Sequence, residues 1–201
     1  IHEDDFELAA LSFVPATSVR ELGFDKELIT GYGHDDGSCA YASLMALLNS
    51  DSEDKTQIAI FASYEETGSN QATGCNSEFI DDIFLDLADG ELAIARQAIR
   101  NSMIISADVC AGFESTYSSH FEDSAKAIVG HGVAIVPYLG RKRGNDTDFH
   151  FRALIKQLAL DNEIKYQVEI TKATEGGGGT VSTFFTTKGS YVIDVGVPVL
   201  A

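Results

Sequence analysis

The chain has 201 residues, 31 acidic against 14 basic, and its formal net charge of −17 is distributed along the sequence instead of gathered in one tail. That length suits one good-sized domain, and 44% hydrophobic residues with three prolines exclude a disordered composition. The negative charge argues against nucleic acid and anionic membranes as partners, since both require a basic footprint, and no apolar run approaches the roughly 18 residues of a membrane-spanning helix.

From the N-terminus, Glu3, Asp4, Asp5 and Glu7 give the opening segment the wrong charge for a signal peptide. Phe6 to Val14 reads as a strand. Ser38 to Leu48, small and apolar, reads as a buried helix, and Ile58 to Ala62 as a short, fully buried strand. Phe79, Ile80, Ile83, Phe84 and Leu87 recur at helical spacing with Asp81, Asp82 and Asp86 between them, which predicts an amphipathic helix with an acidic outer face. Gly90 breaks it, and a second helix over Glu91 to Asn101 leads into a strand, Met103 to Ala107. Further strands are expected at Val133–Tyr138, Tyr166–Ile170 and Tyr191–Val195, with a helix at Phe149–Leu160. Arg141 to Asp146 forms a polar loop and Glu175 to Thr180 a glycine loop. Strands separated by helices predict an α/β class, a three-layer α/β/α arrangement around a mostly parallel mixed sheet. Cys39, Cys75 and Cys110, odd in number and scattered, read as reduced cytosolic thiols with a packing role. The chain starts at Ile1 and stops directly after the apolar run Val195–Val199, which suggests a segment of a longer polypeptide.

In such sheets functional groups collect at the carboxyl ends of strands and at the helix starts that follow. Three acidic sites fall there: Asp35-Asp36 before the first helix, Glu65-Glu66 after the strand ending near Ser63, and Asp108 after Ala107. Each has an ordinary explanation. Asp35 or Asp36 can cap the helix, Glu65-Glu66 can be solvated loop, and Asp108 can be a turn residue. Together they would repel one another unless protonated or shared by a cation. A two-metal hydrolytic centre is the chemistry that suits them, in zinc, manganese or cobalt.

Four ordered segments resemble one family: Gly33-His34-Asp35-Asp36-Gly37-Ser38-Cys39, Tyr64-Glu65-Glu66-Thr67-Gly68-Ser69, Ser106-Ala107-Asp108-Val109 and Glu175-Gly176-Gly177-Gly178-Gly179-Thr180. The chain is similar, from about Phe6 to Ala201, to the aspartyl aminopeptidase and aminopeptidase I family of dinuclear zinc exopeptidases. The resemblance implies that Asp35 is the bridging carboxylate, Glu65 the general base, Glu66 a terminal ligand of one zinc and Asp108 the terminal carboxylate of the other. It implies that residues 1–29 end an inserted dimerisation domain and that 30–201 are the central and C-terminal part of the catalytic domain. Gly177, Gly178 and Thr180 would line the substrate in a glycine turn, although such a run equally serves a tight backbone bend. Expected with the family are peptide substrates, removal of an N-terminal residue such as Asp or Glu, a cytoplasmic location, and a dimer-based homo-oligomer up to a dodecamer.

Three departures accompany the match. Gly37 stands where the family often carries a basic residue, Glu114-Ser115-Thr116-Tyr117 replaces a proline-containing stretch, and the family's two zinc-binding histidines fall outside the chain. The 201 residues are therefore expected to be inactive by themselves. The competing readings are a non-catalytic homologue or assembly subunit that keeps the fold, and an acidic calcium- or partner-binding module, which lacks ligands at alternate loop positions.

Overall fold

A computed structural model describes residues 2–138, 146–170, 172 and 181–200. The chain opens with a 3-10 turn at Glu3–Phe6 and continues without regular structure to a small antiparallel hairpin of β1 (Arg20–Leu22) and β2 (Leu28–Thr30). There follow α1 (His34–Leu48), α2 (Phe79–Leu87), α3 (Leu92–Asn101), β3 (Met103–Ala111), β4 (Val133–Tyr138), α4 (Phe149–Asp161), β5 (Tyr166–Ile170), α5 (Ser182–Thr186) and β6 (Tyr191–Val199).

The four long strands form one sheet in the order β3-β6-β4-β5, parallel between β3 and β6 and between β4 and β5, antiparallel between β6 and β4. This is the expected mixed α/β sheet. Alternation along β6 sends Val192 to one face, where it meets Ile80 and Phe84 of α2, Ala95 and Ile99 of α3 and Phe185 of α5. Ile193 and Val195 point to the other, where they meet Ile135 and Phe151 of α4. Ile80 and Ile193 are fully buried, and burial of each such side chain contributes about 1.5–3 kcal/mol. α4 starts where the Asp148 carboxylate accepts from the His150 and Phe151 amides at 2.9 and 3.3 Å. Lys188, just beyond α5, pairs with Asp81 of α2 and so engages one carboxylate of that acidic face.

Pro198 sits inside β6, where a missing N–H would normally break a ladder. The Tyr191 amide donates to Ser102 O at 3.1 Å, so odd-numbered β6 amides face β3 and even-numbered ones face β4. Pairing with β4 stops at Gly196, whereas pairing with β3 runs on to Val199. Pro198 therefore lacks its amide on the side where β4 has already ended.

Two expected strands do not form. Phe6–Val14 is exposed and irregular, because its apolar side chains, Phe13 and Leu8 among them, find no sheet or core to lie against. Ile58–Ala62 has no regular structure and pairs with no strand among the described residues: Ile60 and Ala62 reach the α2–α3 core while Ile58 and Phe61 remain exposed. The expected strand at Met103–Ala107 runs on to Ala111, so Asp108 lies within β3 instead of ending it. The last strand likewise continues past Val195 to Val199. Among the described residues no helix is long and apolar enough to cross a membrane.

Candidate active site

Asp35 and Asp36 occupy the first turn of α1 with different backbones. Asp35 is extended (φ −86°, ψ 114°) and the helix proper begins after it; the peptide joining the two is cis. Burial raises Asp36, the Ala40 backbone amide opposes that rise and the charge of Asp35 adds to it.

Glu65 and Glu66 stand on a 3-10 turn, Glu65–Thr67, set between residues of positive φ: Tyr64 at 61°, Gly68 at 90° and Ser69 at 59°. The turn is tied from several sides. Tyr64 O accepts from the Ser69 amide at 2.8 Å, Glu65 O from Gly68 at 2.9 Å, Thr73 O from Ser63 at 3.1 Å and Ser69 O from Asn76 at 3.1 Å. Ser69 is buried, and a Cβ on Gly74 would lie 2.4 Å from its carbonyl oxygen. Gly74 is glycine because the chain passes directly over the knot that holds Glu65.

Asp108, on β3 opposite Gly196 of β6, is half-buried, and its Oδ1 accepts from the Val109 amide at 2.7 Å. Asp35, Glu65, Glu66 and Asp108 all line a cavity of about 1200 Å³, together with residues of α1, β3 and the Ile58–Ala62 segment.

The electrostatics show that these acids sense one another. Burial raises Glu65 to about 7, and Asp108, Glu66, Asp35 and Asp36 push in the same direction. Burial raises Asp108 to about 6 against the opposing Val109 hydrogen bond, with Asp35, Asp36 and Glu66 adding to the rise. A hydrogen bond with Asp35, followed by Asp35's charge, raises Glu66, since that bond needs a proton on one of the two acids. Every charge acting on Glu65 is negative. Cys75, buried behind the turn, is pushed up to about 11 by burial and then by Glu65, so it packs as a neutral thiol.

Among the described residues no three His, Cys, Asp or Glu side chains are near enough to hold a metal ion as they stand. The chemistry of the donor set still fits one: hard carboxylate oxygens whose mutual repulsion a cation would relieve.

Gly177, Gly178 and Thr180 lie outside the described residues. The residue types alone did not reveal the non-helical backbone at Asp35, the Ser69–Gly74 crossing or the thiol behind Glu65. Gly68-Ser69 and Gly74 offered a faint turn signal, and Cys75 offered none.

The full chain, residues 1–201, matches the aminopeptidase I zinc metalloprotease (M18) family, and the protein belongs to it. It is 36% identical over 208 residues to the probable M18 family aminopeptidase 1 of Clostridium acetobutylicum, matching 100% of this chain and 45% of that protein. The crystal structure of aminopeptidase I from the same organism superposes with a TM-score of 0.84 at 35% identity, covering 93% of this chain and 42% of that one. The aspartyl aminopeptidase of Caenorhabditis elegans is 30% identical over 188 residues, covering 90% of this chain and 40% of that protein. The chain spans about half the length of the curated relatives it matches.

Proposed function

We propose that these residues belong to a zinc-dependent aminopeptidase that removes N-terminal residues from peptides, with Glu65 as general base and Asp35, Glu66 and Asp108 as metal-holding carboxylates. The observation that carries the proposal is the gathering of the four acids on the lining of one cavity, with Glu65 and Asp108 raised by burial and then by neighbouring acids and Glu66 raised by Asp35. Membership of a family described as zinc metalloproteases supports zinc. Asp35 would bridge two ions, Glu66 and Asp108 would each hold one, and further ligands would come from outside the chain. Zinc, when bound, supplies polarisation of the scissile carbonyl and acidification of the attacking water.

The chain's own part is proton handling. Glu65 accepts a proton from the water on a carboxylate oxygen and delivers it to the leaving amine nitrogen. Its turn, fixed by the Tyr64, Ser69 and Asn76 backbone bonds, keeps that oxygen in place while the charge changes. An N-terminal Asp or Glu as preferred substrate residue is suggested by the aspartyl aminopeptidase relative. Residues 1–29, whose exposed Leu8, Phe13 and Phe24 have no partner in the fold, fit the end of a dimerisation segment, and with it a dimer-based homo-oligomer, up to a dodecamer, in the cytoplasm.

The test is Glu65→Gln in the full polypeptide. Activity should fall by about 10²–10⁴-fold, and retention within about tenfold would remove Glu65 from the role of base. One observation favours a second reading, a non-catalytic homologue: no ligand set closes among the described residues. Zinc-restored peptidase activity of the full polypeptide after chelation separates the two.

A further inference from the structure

Glu65 stands on a stretch that neither the sheet nor a long helix supports. Within residues 63–77 the only regular structure is the 3-10 turn Glu65–Thr67, and α2 begins beyond them at Phe79. The inner side of the stretch is anchored by Cys75, 2% exposed in the α2–α3 core, and by Ser69, 1% exposed. The outer side has no such packing: Asn70, Gln71, Ala72, Thr73 and Asn76 are all exposed. Hydrogen bonding must close it instead.

Asn76 supplies that closure twice. Its amide donates to Ser69 O at 3.1 Å, and its side-chain Nδ2 donates to Asn70 Oδ1 at 2.5 Å. Both bonds close the same ring of chain. Among the described residues the second is the one bond between two side chains in the stretch, the other side-chain bonds there running to or from the backbone. The Asn70 amide group also reaches the turn. Its Nδ2 would lie 3.2 Å from a Cβ on Gly68, and the Gly68 amide donates to Glu65 O at 2.9 Å. A line of contacts therefore runs from Asn76 through Asn70 and Gly68 to the backbone of Glu65.

Backbone strain gives this line a task. Tyr64 and Ser69, on either side of the turn, are non-glycine residues with φ of 61° and 59°. Such conformations persist only where the surroundings fix them, and the Asn76 amide on the Ser69 carbonyl is part of that fixing. Neither asparagine lines the cavity that holds the acids, so any influence on the chemistry passes through the turn.

We propose that Asn70 and Asn76 form a clasp that positions Glu65 for proton transfer, as positioning residues and not catalytic ones. That role rests on Glu65 being the general base. Opening the clasp frees the outer side of the loop, lets Ser69 relax from its left-handed backbone and lets the Glu65 carboxylate drift from the water it deprotonates. A displacement of about 1 Å can slow such a step about 100-fold. Because the clasp lies off the cavity wall, the loss falls on kcat and leaves KM nearly unchanged.

Two measurements on the full polypeptide test this. In the zinc-loaded enzyme, Asn70→Ala and Asn76→Ala should each lower kcat by about 3- to 30-fold with KM within about twofold of the parent. The double variant should be no worse than the poorer single one, since both changes remove the same bond. Asn70→Asp keeps an acceptor oxygen for Asn76 Nδ2 and should recover kcat to within about threefold of the parent. In the metal-free protein Cys75 is the probe, because lifting its segment from the core exposes the thiol. Labelling with a thiol reagent, read peptide by peptide, should modify Cys75 about tenfold faster in each alanine variant while Cys39, 3% exposed in α1, is unchanged. Equal acceleration at Cys39 would signify a general loss of stability and overturns the clasp. Parental kcat in both alanine variants overturns it too, as do losses that multiply in the double variant. Glu65→Gln keeps the two questions apart: if that variant retains activity the base assignment falls, while Cys75 labelling still decides whether the clasp holds the turn.

Discussion

Glu65 and Asp108 are both pushed up from their ordinary values of 4.5 and 3.8, to about 7 and about 6. A carboxyl group raised in the folded state binds protons that the unfolded chain has already released, so the metal-free protein loses stability as pH rises through that window. Its denaturation midpoint should fall between pH 5 and pH 7.5 and level off above; a midpoint that climbs over that range would show that other groups dominate. Gly74 gives a second test at this scale. With a Cβ 2.4 Å from Ser69 O, Gly74→Ala must shift the backbone that carries Glu65. In the full polypeptide kcat should drop by about tenfold or more with far-UV circular dichroism unchanged. Unaltered kcat would mean that the crossing has slack.

Among the elements, α1 and the Glu65 turn show what could be read from residue types and what could not. The paired aspartates before Ser38, the glutamates after a hydrophobic run and Asp108 stood out only in combination, because each alone is an ordinary cap, loop or turn residue, and the structure sets all of them on the lining of one cavity. The helices over Phe79–Leu87 and Phe149–Asp161 were legible from pattern, a 3.6-residue period sustained over several turns. The change of backbone between Asp35 and Asp36 was not, since two adjacent acids look alike until φ and ψ distinguish them. Ile58–Ala62 shows the complementary failure: its composition is that of a strand, but a strand exists only with a neighbour to bond to. The α5 turn at Ser182–Thr186 escaped because five residues carry too little periodicity. β6 is the element on which both cores converge, and Ile193→Ala at its centre should cost about 2–5 kcal/mol in chemical denaturation. A loss below about 1 kcal/mol would mean that the site collapses around the smaller side chain.

For the molecule as a whole, the acids and the remaining ligands are proposed to lie in different parts of the polypeptide. Carboxylates alone leave each ion under-coordinated, so the 201-residue chain should bind zinc only weakly and show little peptidase activity. Calorimetric titration finding two sites tighter than micromolar in that chain would contradict this. The charge of −17 also takes on a sharper meaning here. Most of it is solvated, as on the outer face of α2, but Asp35, Glu66 and Asp108 all act electrostatically on Glu65 and with it form a local excess of negative charge.

The bare edge of β3 also bears on how this chain behaves in solution. A long strand with exposed Met103 and Ile105 is a template for pairing with other chains, while the shared negative charge holds copies apart. Salt removes that protection, since at physiological ionic strength charges more than about 8 Å apart are largely screened. Light scattering from the 201-residue chain should therefore rise as sodium chloride is added, and scattering that does not change with salt would show that the edge is not the contact. The row of backbone groups that pairs with nothing among the described residues is then what brings copies together once their charge is screened.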